Sequence, residues 1–344
     1  MFFKSVFIFL SYFSTKNSQT VHTISDYQDN FLAYLTKKNT IKEPKNLYEP
    51  ITYILNLGGK RLRPVLVLMA SEIFDTPYQK ALDAALAIEV FHNFSLIHDD
   101  IMDGAPLRRG KETVHKKWDV NTGILSGDAM LINAYQLFEN YDGDIYKALT
   151  SLFTKTAIEV CEGQQYDVDF EDRDDVTIAE YLKMIEYKTA VLVGAALKMG
   201  AIIAEANQED QERIYDFGRL LGIAFQLQDD YLDAFGDPET FGKQVGGDII
   251  ENKKTFLYLK AIENGSDEEK RQLEGLFSLK EVNVVEKVET VKSIYDSTES
   301  TKATRQEIEK YTKMAFETLK DLNVSEEKKM LLEQFGKKLM NRSV

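Results

Sequence analysis

The chain has 344 residues, 44% of them hydrophobic, with a formal net charge of −14. That is ample for a large buried core. The acidic excess argues against a nucleic-acid surface, and an anionic ligand would have to bind through local basic clusters or metal ions against the overall field. Cys161 is the only cysteine, which excludes an intrachain disulfide and a thiolate metal cluster and fits a reducing, cytoplasmic setting.

In chain order, residues 1–20 stand apart. Val6 to Leu10, with Tyr12 and Phe13, form a short apolar run behind Lys4. It is too short to span a bilayer and lacks a clear small-x-small cleavage site, so a disordered extension is expected, followed by one helical domain over 21–344. From Ile24 onward the 3.6-residue period and the presence of only six prolines predict helices rather than sheet. The predicted spans are 24–38, 45–57, 61–74, 78–103, 122–140, 144–166, 177–205, 208–234, 251–263, 267–277, 284–320 and 325–341. Thr177 to Glu180 has the spacing of a capping box. Gly58-Gly59, Gly104 to Pro106, Gly236 to Pro238 and Gly246-Gly247 mark breaks. Runs 81–97 and 191–206 are apolar on most faces, as inner helices of a bundle are, and the charged stretch 263–310 is expected to be a solvated outer face. The expected fold class is all-α: a single-domain bundle of long helices around a central apolar cavity.

The chemistry concentrates at two helix ends. Phe91 to Asp103 is an apolar run that finishes in Asp99, Asp100 and Asp103. Phe225 to Asp233 repeats the arrangement with Asp229, Asp230 and Asp233. Carboxylates four apart share a helix face and repel one another, a conflict that a bound cation removes. Oxygen donors without cysteine suit Mg²⁺ or Mn²⁺, and Mg²⁺ takes only one or two protein carboxylates plus waters and substrate phosphates. The pair of clusters therefore suggests a metal-bridged phosphorylated ligand.

Matching basic clusters follow. Lys60, Arg61 and Arg63 sit behind Gly58-Gly59 at a helix start, where free N–H groups favour an anion. Arg108 and Arg109 precede Gly110, and arginine clamps phosphate in bidentate fashion. Lys188-Thr189 lies in a long apolar helix, and Lys243 and Lys253 follow the second aspartate cluster. His92 lies seven residues before Asp99, nearly two turns, which puts it on the aspartate face. Glu89-x-x-His92 and Glu112-x-x-His115 also have the spacing found in di-iron helix bundles. However, Glu112 is beside Arg108, Arg109 and Lys111, and a di-iron centre would leave both aspartate clusters unexplained.

The ordered set Gly-Gly-Lys-Arg-Leu-Arg-Pro, Ser-Leu-Ile-His-Asp-Asp-x-x-Asp with Arg-Arg-Gly, Lys-Thr, Phe-Gln-x-x-Asp-Asp-x-x-Asp and Gly-Lys resembles the head-to-tail trans-prenyltransferases. These form the polyprenyl synthetase family, of farnesyl and geranylgeranyl diphosphate synthase type, and the resemblance covers about residues 24–340. It implies the isoprenoid synthase fold, a homodimer whose interface could come from apolar helices within 112–160, and no stable membrane span. It implies Mg²⁺, three ions per site with Mn²⁺ able to substitute. Asp99, Asp103 and Asp229 would hold the metal, supported by Asp100, Asp230 and Asp233. Lys60, Arg63, His92 and Arg109 would bind isopentenyl diphosphate. Arg108, Lys188, Lys243 and Lys253 would grip the allylic diphosphate, while Thr189 and Gln226 would turn oxygen dipoles toward a developing carbocation.

The resemblance also carries a length rule: a bulky residue five before the first aspartate limits the product, and here that is Phe94. A helical wheel puts small Ser95 nearer the aspartate face, so Phe91 is the other candidate floor. Products of C15 to C20 are expected, with C20 favoured. Two rival activities share the fold. A non-catalytic partner subunit would be expected to have lost aspartates, and this chain keeps all six. A terpene cyclase would have no need of the cluster at Lys60 to Arg63.

Overall fold

The computed structural model describes residues 22–237, 246–278 and 283–341; the extension at 1–20 and Lys243 lie outside them. Helix starts are set where the sequence places capping residues. Thr23 opens α1 (Ile24–Lys38) and Thr177 opens α8 (Ile178–Ile185), each with a complete capping box. At Thr177 the hydroxyl accepts from Glu180 N at 3.2 Å, and the Glu180 carboxylate accepts from Thr177 N at 2.9 Å. Two orphan donors are thereby satisfied reciprocally.

Between these lie α2 (Lys45–Asn56), α3 (Leu62–Ile73), a 3₁₀ turn (Tyr78–Ala81), α4 (Leu82–Met102), the short α5 (Val114–Lys117), α6 (Val120–Phe138) and α7 (Gly143–Glu171). A π-helical segment (Glu186–Ala190) joins α8 to α9 (Val191–Ile203), and α10 (Gln208–Phe235) follows. The rest comprises α11 (Gly247–Ile250), α12 (Phe256–Asn264), α13 (Asp267–Ser278), α14 (Val284–Ser297), α15 (Ser300–Lys320) and α16 (Glu326–Met340).

Packing follows apolarity. α9 lies against α3 and α10, α4 against α6, and α15 along α10. One hydrophobic cluster is built from α3, α4, α6, α9 and the first half of α10. A second gathers Tyr181, Leu227, Tyr231, Phe256, Leu257 and Tyr295 around the second half of α10. At ~1.5 Å per residue α10 is about 42 Å long, so it threads both clusters and carries its aspartates to the site. Among the described residues no helix is long and apolar enough to cross a membrane.

The helical pattern misleads in three places and leaves a fourth, between 103 and 122, unassigned. The span 284–320 is two helices: Glu299 takes a left-handed conformation (φ 55°), and Thr298 Oγ1 pairs with Ser300 Oγ at 2.8 Å. Hydroxyls that bond locally compete with the helical ladder, while the charge pattern runs on unbroken. The span 177–205 contains the π segment, a widened turn that leaves the apolar period nearly intact. The helix expected over 251–263 starts only at Phe256. Finally, Leu107–Arg108 and Lys111–Glu112 form a two-stranded antiparallel hairpin. Its turn residues, Arg109 and Gly110, both have positive φ, as the tightest hairpin turns require.

Candidate active site

The buried apolar stripe of α4, Ala84 to Ile97, draws that helix into the core and leaves Asp99, Asp100 and Asp103 at its C-terminal end. A helix C-terminus favours cations, and two arrive. Arg108, at the hairpin, donates from Nε to Asp100 at 2.7 Å and from Nη2 to Asp99 at 3.3 Å. Lys188 Nζ lies 3.3 Å from Asp99 and 2.5 Å from Asp167 of α7. Burial, with help from Asp99, raises the Asp103 carboxyl to about 6, against the charges of Lys253 and Lys188.

Lys188 reaches this point because of two close helix approaches. A Cβ on Gly163 of α7 would lie 2.2 Å from Lys188 N, and one on Gly222 of α10 would lie 2.7 Å from Ala190 Cα. Only glycine lets both helices grip the π segment, whose extra residue per turn brings Lys188 and Thr189 to the site.

The α10 end forms the opposite wall. Asp230 is buried; it accepts from the Tyr181 hydroxyl and from Gln226 Nε2 at 2.8 Å, while Thr189 donates to Gln226 Oε1 at 3.1 Å. Burial first, then Asp229 and Asp233, push the Asp230 carboxyl up. Burial also raises Asp248, with Asp230 and Asp233 adding to it. Asp233 acts as a tether. Its carboxylate accepts from Asp248 N at 2.9 Å and its carbonyl from Gly246 N at 2.6 Å, tying the start of α11 to α10. Lys253 pairs with Glu251 at 2.9 Å.

The third wall is basic. Arg63 Nη1 meets His92 Nε2 at 3.2 Å. Since guanidinium only donates, Nε2 accepts and the ring proton sits on Nδ1. Burial, then the charges of Arg63 and Arg109, hold the His92 pKa well below the usual imidazole value. Arg109 donates to Gly58 O, joining the hairpin to the glycine turn that ends in Lys60. Arg61 faces inward instead, onto Glu89 and Leu55 O.

These walls enclose two adjoining cavities that share Lys188 and Thr189. The polar one, about 120 Å³, is lined by Asp167, Tyr181, Gln226, Asp230, Asp248 and Lys253. The other, about 310 Å³, is lined by Asp99, Arg63 and His92 and by apolar Phe94, Val160 and Leu192. Phe94 and Ser95 both line it. Phe91 is fully buried behind Phe94, with ring centroids 5.5 Å apart, and is backed by Phe153 at 5.1 Å.

The donor set fits a hard cation. Asp99 Oδ1 and Asp100 Oδ2 are buried and accept no hydrogen bond, although Lys188 Nζ stands 3.3 Å from the first. Burial together with neighbouring carboxylates raises the Asp103 and Asp230 carboxyls. Among the described residues no three His, Cys, Asp or Glu side chains converge by themselves as a metal shell; Mg²⁺, which completes its shell with phosphate oxygens and water, does not require that. The di-iron alternative fails: Glu89 is engaged by Arg61 and Glu112 is exposed on the hairpin.

Sequence reasoning had not singled out Asp167, Tyr181 or Asp248. Asp167 lies four residues after Gly163, on the same face of α7, and that spacing was the available signal. Tyr181 and Asp248 have none, because their roles depend on contacts between elements.

The Polyprenyl synthetase model matches residues 44–297. The chain belongs to the polyprenyl synthetase family. It is a prenyltransferase of isoprenyl diphosphate synthase type, and the helical architecture is the isoprenoid synthase fold. A geranylgeranyl diphosphate synthase of Methanosarcina mazei is 42% identical over 227 residues, 65% of this chain and 70% of that protein. A crystal structure of a geranylgeranyl pyrophosphate synthase superposes with TM-score 0.90 at 56% identity, covering 94% of this chain and 100% of the other. The synthase also resembles a geranylgeranyl pyrophosphate synthase of Corynebacterium glutamicum complexed with isoprenyl diphosphate and magnesium, at 25% identity and TM-score 0.81, covering 93% of this chain and 97% of that one.

Proposed function

We propose that the synthase condenses isopentenyl diphosphate with allylic diphosphates and that its main product is geranylgeranyl diphosphate, C20. One observation carries this: a single cavity, with Phe94, Val160 and Leu192 among its walls, is lined both by Asp99 with Lys188 and by Arg63 with His92. The aspartate side suits a diphosphate held through metal, the basic side a second diphosphate held directly, and the apolar depth a prenyl chain.

Asp99 in the last turn of α4, Asp103 just beyond it and Asp229 of α10, supported by Asp100, Asp230 and Asp233, are the residues to hold Mg²⁺, three ions per site in the fullest form, with Mn²⁺ a workable substitute. When bound, Mg²⁺ supplies Lewis-acid neutralisation of the allylic diphosphate's charge. Arg108, Lys188 and Lys253 bind that diphosphate, and the first two exchange their ties to Asp99, Asp100 and Asp167 for phosphate oxygens. Lys60, Arg63 and Arg109 bind isopentenyl diphosphate, with His92 holding Arg63 in place. Thr189 and Gln226, fixed in one chain of hydrogen bonds to Asp230, present oxygen dipoles where positive charge develops. Val160 and Leu192 keep water from that charge. His92 Nε2 is engaged by Arg63, so the proton lost on condensation is left to the departed diphosphate.

Exposed Ile124, Leu125 and Ile132 on α6 and Ile158 on α7 lie within the stretch expected to supply a homodimer interface, and a partner subunit there would bury them. A cytoplasmic location suits the single unpaired cysteine. The test is to incubate purified protein with Mg²⁺, labelled isopentenyl diphosphate and, in turn, dimethylallyl, geranyl and farnesyl diphosphate, then read product length. C20 is expected. Dominant C15, or C30 and longer, would refute the product assignment, and no turnover with any primer would refute the synthase reading in favour of a silent subunit or cyclase.

A further inference from the structure

Two features of the sequence are left over by the site as described: Arg61, the inner cation of the Lys60–Arg63 cluster, and Glu89, first member of Glu89-x-x-His92. The structure joins them. Arg61 is 4% exposed and Glu89 2%. Arg61 Nη1 donates to the Glu89 carboxylate and Nη2 to Leu55 O at the end of α2. Asn93, fully buried, donates from Nδ2 to Glu89 Oε1 at 3.0 Å and to Glu89 O at 2.8 Å.

We propose that Arg61, Glu89 and Asn93 form the positioning device of the isopentenyl diphosphate pocket, fixing where Lys60 and Arg63 stand without touching substrate. The inference rests on the pocket assignment above.

The geometry is a ladder with two rungs. Glu89 and His92, three apart, share a face of α4. Arg61 and Arg63, two apart at the start of α3, meet them in order: Arg61 on Glu89, Arg63 on His92. The first rung fixes the register of the second. Arg61 also ties α2, α3 and α4 together through one planar fork, which lysine cannot reproduce. It does so from a left-handed backbone (φ 50°), an uncommon state for a residue with a side chain, which turns it inward. Glu89 also serves as the buried counter-charge that favours the charged forms of Arg63 and Arg109 against burial.

Stability alone does not account for such a pair. A buried ion pair can often be replaced by apolar residues of similar volume at no cost, whereas losing one partner is strongly destabilising. The decisive variant is therefore the double replacement Arg61→Met with Glu89→Leu, alongside Arg61→Lys and, as a check on the pocket, Arg63→Ala. KM for isopentenyl diphosphate, KM for the allylic primer, kcat and Tm are measured for each. The double variant should keep a Tm near that of the parent and an unchanged allylic KM, yet raise KM for isopentenyl diphosphate at least tenfold. Arg61→Lys should shift KM the same way. A double variant with parental KM for isopentenyl diphosphate, or with both KM values rising in parallel, overturns the proposal while Arg63→Ala still shows the pocket assignment to be right. If Arg63→Ala leaves that KM unchanged, the pocket assignment falls and takes the proposal with it.

Discussion

Adding one methyl group at Gly163 should disable the synthase while leaving it folded. The new Cβ would sit 2.2 Å from Lys188 N and 2.7 Å from Lys188 Cα and Tyr187 C, against 3.4–4 Å for ordinary contact. Those neighbours are backbone, so α7 and the π segment must part by about 1 Å, with no rotamer to absorb the strain. Overpacking of this kind costs about 1–3 kcal/mol, and alanine returns about 1 kcal/mol of helix propensity over glycine. The net loss is then about 0–2 kcal/mol, a few degrees of Tm. Catalysis is more sensitive: a displacement of about 1 Å can cost about 10²-fold, and it would fall on Lys188 and Thr189 together. Gly163→Ala should therefore lower kcat about 10²-fold with KM for isopentenyl diphosphate nearly unchanged. Gly275→Ala is the control, because a Cβ there meets nothing within 4 Å; it should keep full activity and gain slightly in Tm. Steady-state kinetics beside thermal unfolding make the comparison. A Gly163→Ala enzyme within threefold of the parental kcat would refute the idea that this contact sets the lysine.

Asp99→Ala and Asp229→Ala should each lower turnover by at least ~10³ with the helical circular dichroism intact; near-parental rates in either would refute the metal-bridge assignment. Phe94→Ala should lengthen the product by one or more five-carbon units, and Phe91→Ala, which removes the ring behind it, should add to that in the double variant. Chromatography of the dephosphorylated products decides, and unchanged length in the double variant would show that the floor lies elsewhere. For pH, burial first and then Asp230 and Asp233 raise the Asp248 carboxyl to about 8, whereas an unfolded aspartate ionises near 4. The folded chain thus holds a proton over roughly pH 4–8 that the unfolded chain gives up, so this group's contribution to stability is lost as pH rises through that window. In metal-free protein Asp248→Asn should melt higher than the parent at pH 9 and about level with it at pH 4; the same Tm difference at both values would contradict this.

The helices and the identity of the reacting groups were largely local properties of the sequence. Periodicity placed α4 and α10, and their aspartates could be assigned to helix ends because Gly104 and Gly236 follow. Arg108, Arg109 and the Lys60–Arg63 cluster were legible for the same reason: charge density beside glycine is a short-range signal. Phase along one helix also placed His92 on the aspartate side. Wheel geometry alone left Phe94 and Ser95 in competition, and both line the cavity, because α4 is bordered by that space across more of its circumference than a single stripe.

What remained depended on contacts between elements. Nothing local to Lys188 announces a π turn; the turn is seen in the packing of α7 and α10 against that segment through Gly163 and Gly222. Asp167, Tyr181 and Asp248 come from three separate elements and matter only because folding delivers them to one cavity. The break at Glu299 hides beneath an unbroken charge pattern. The sharpest division falls within four residues. Residue type and a glycine pair are enough to give Lys60, Arg61 and Arg63 positive charge at a helix start. It takes the packing of α3 on α4 to turn Arg61 inward to Glu89 while Arg63 faces the cavity beside His92, because burial of a charge depends on which partner the neighbouring helix offers it.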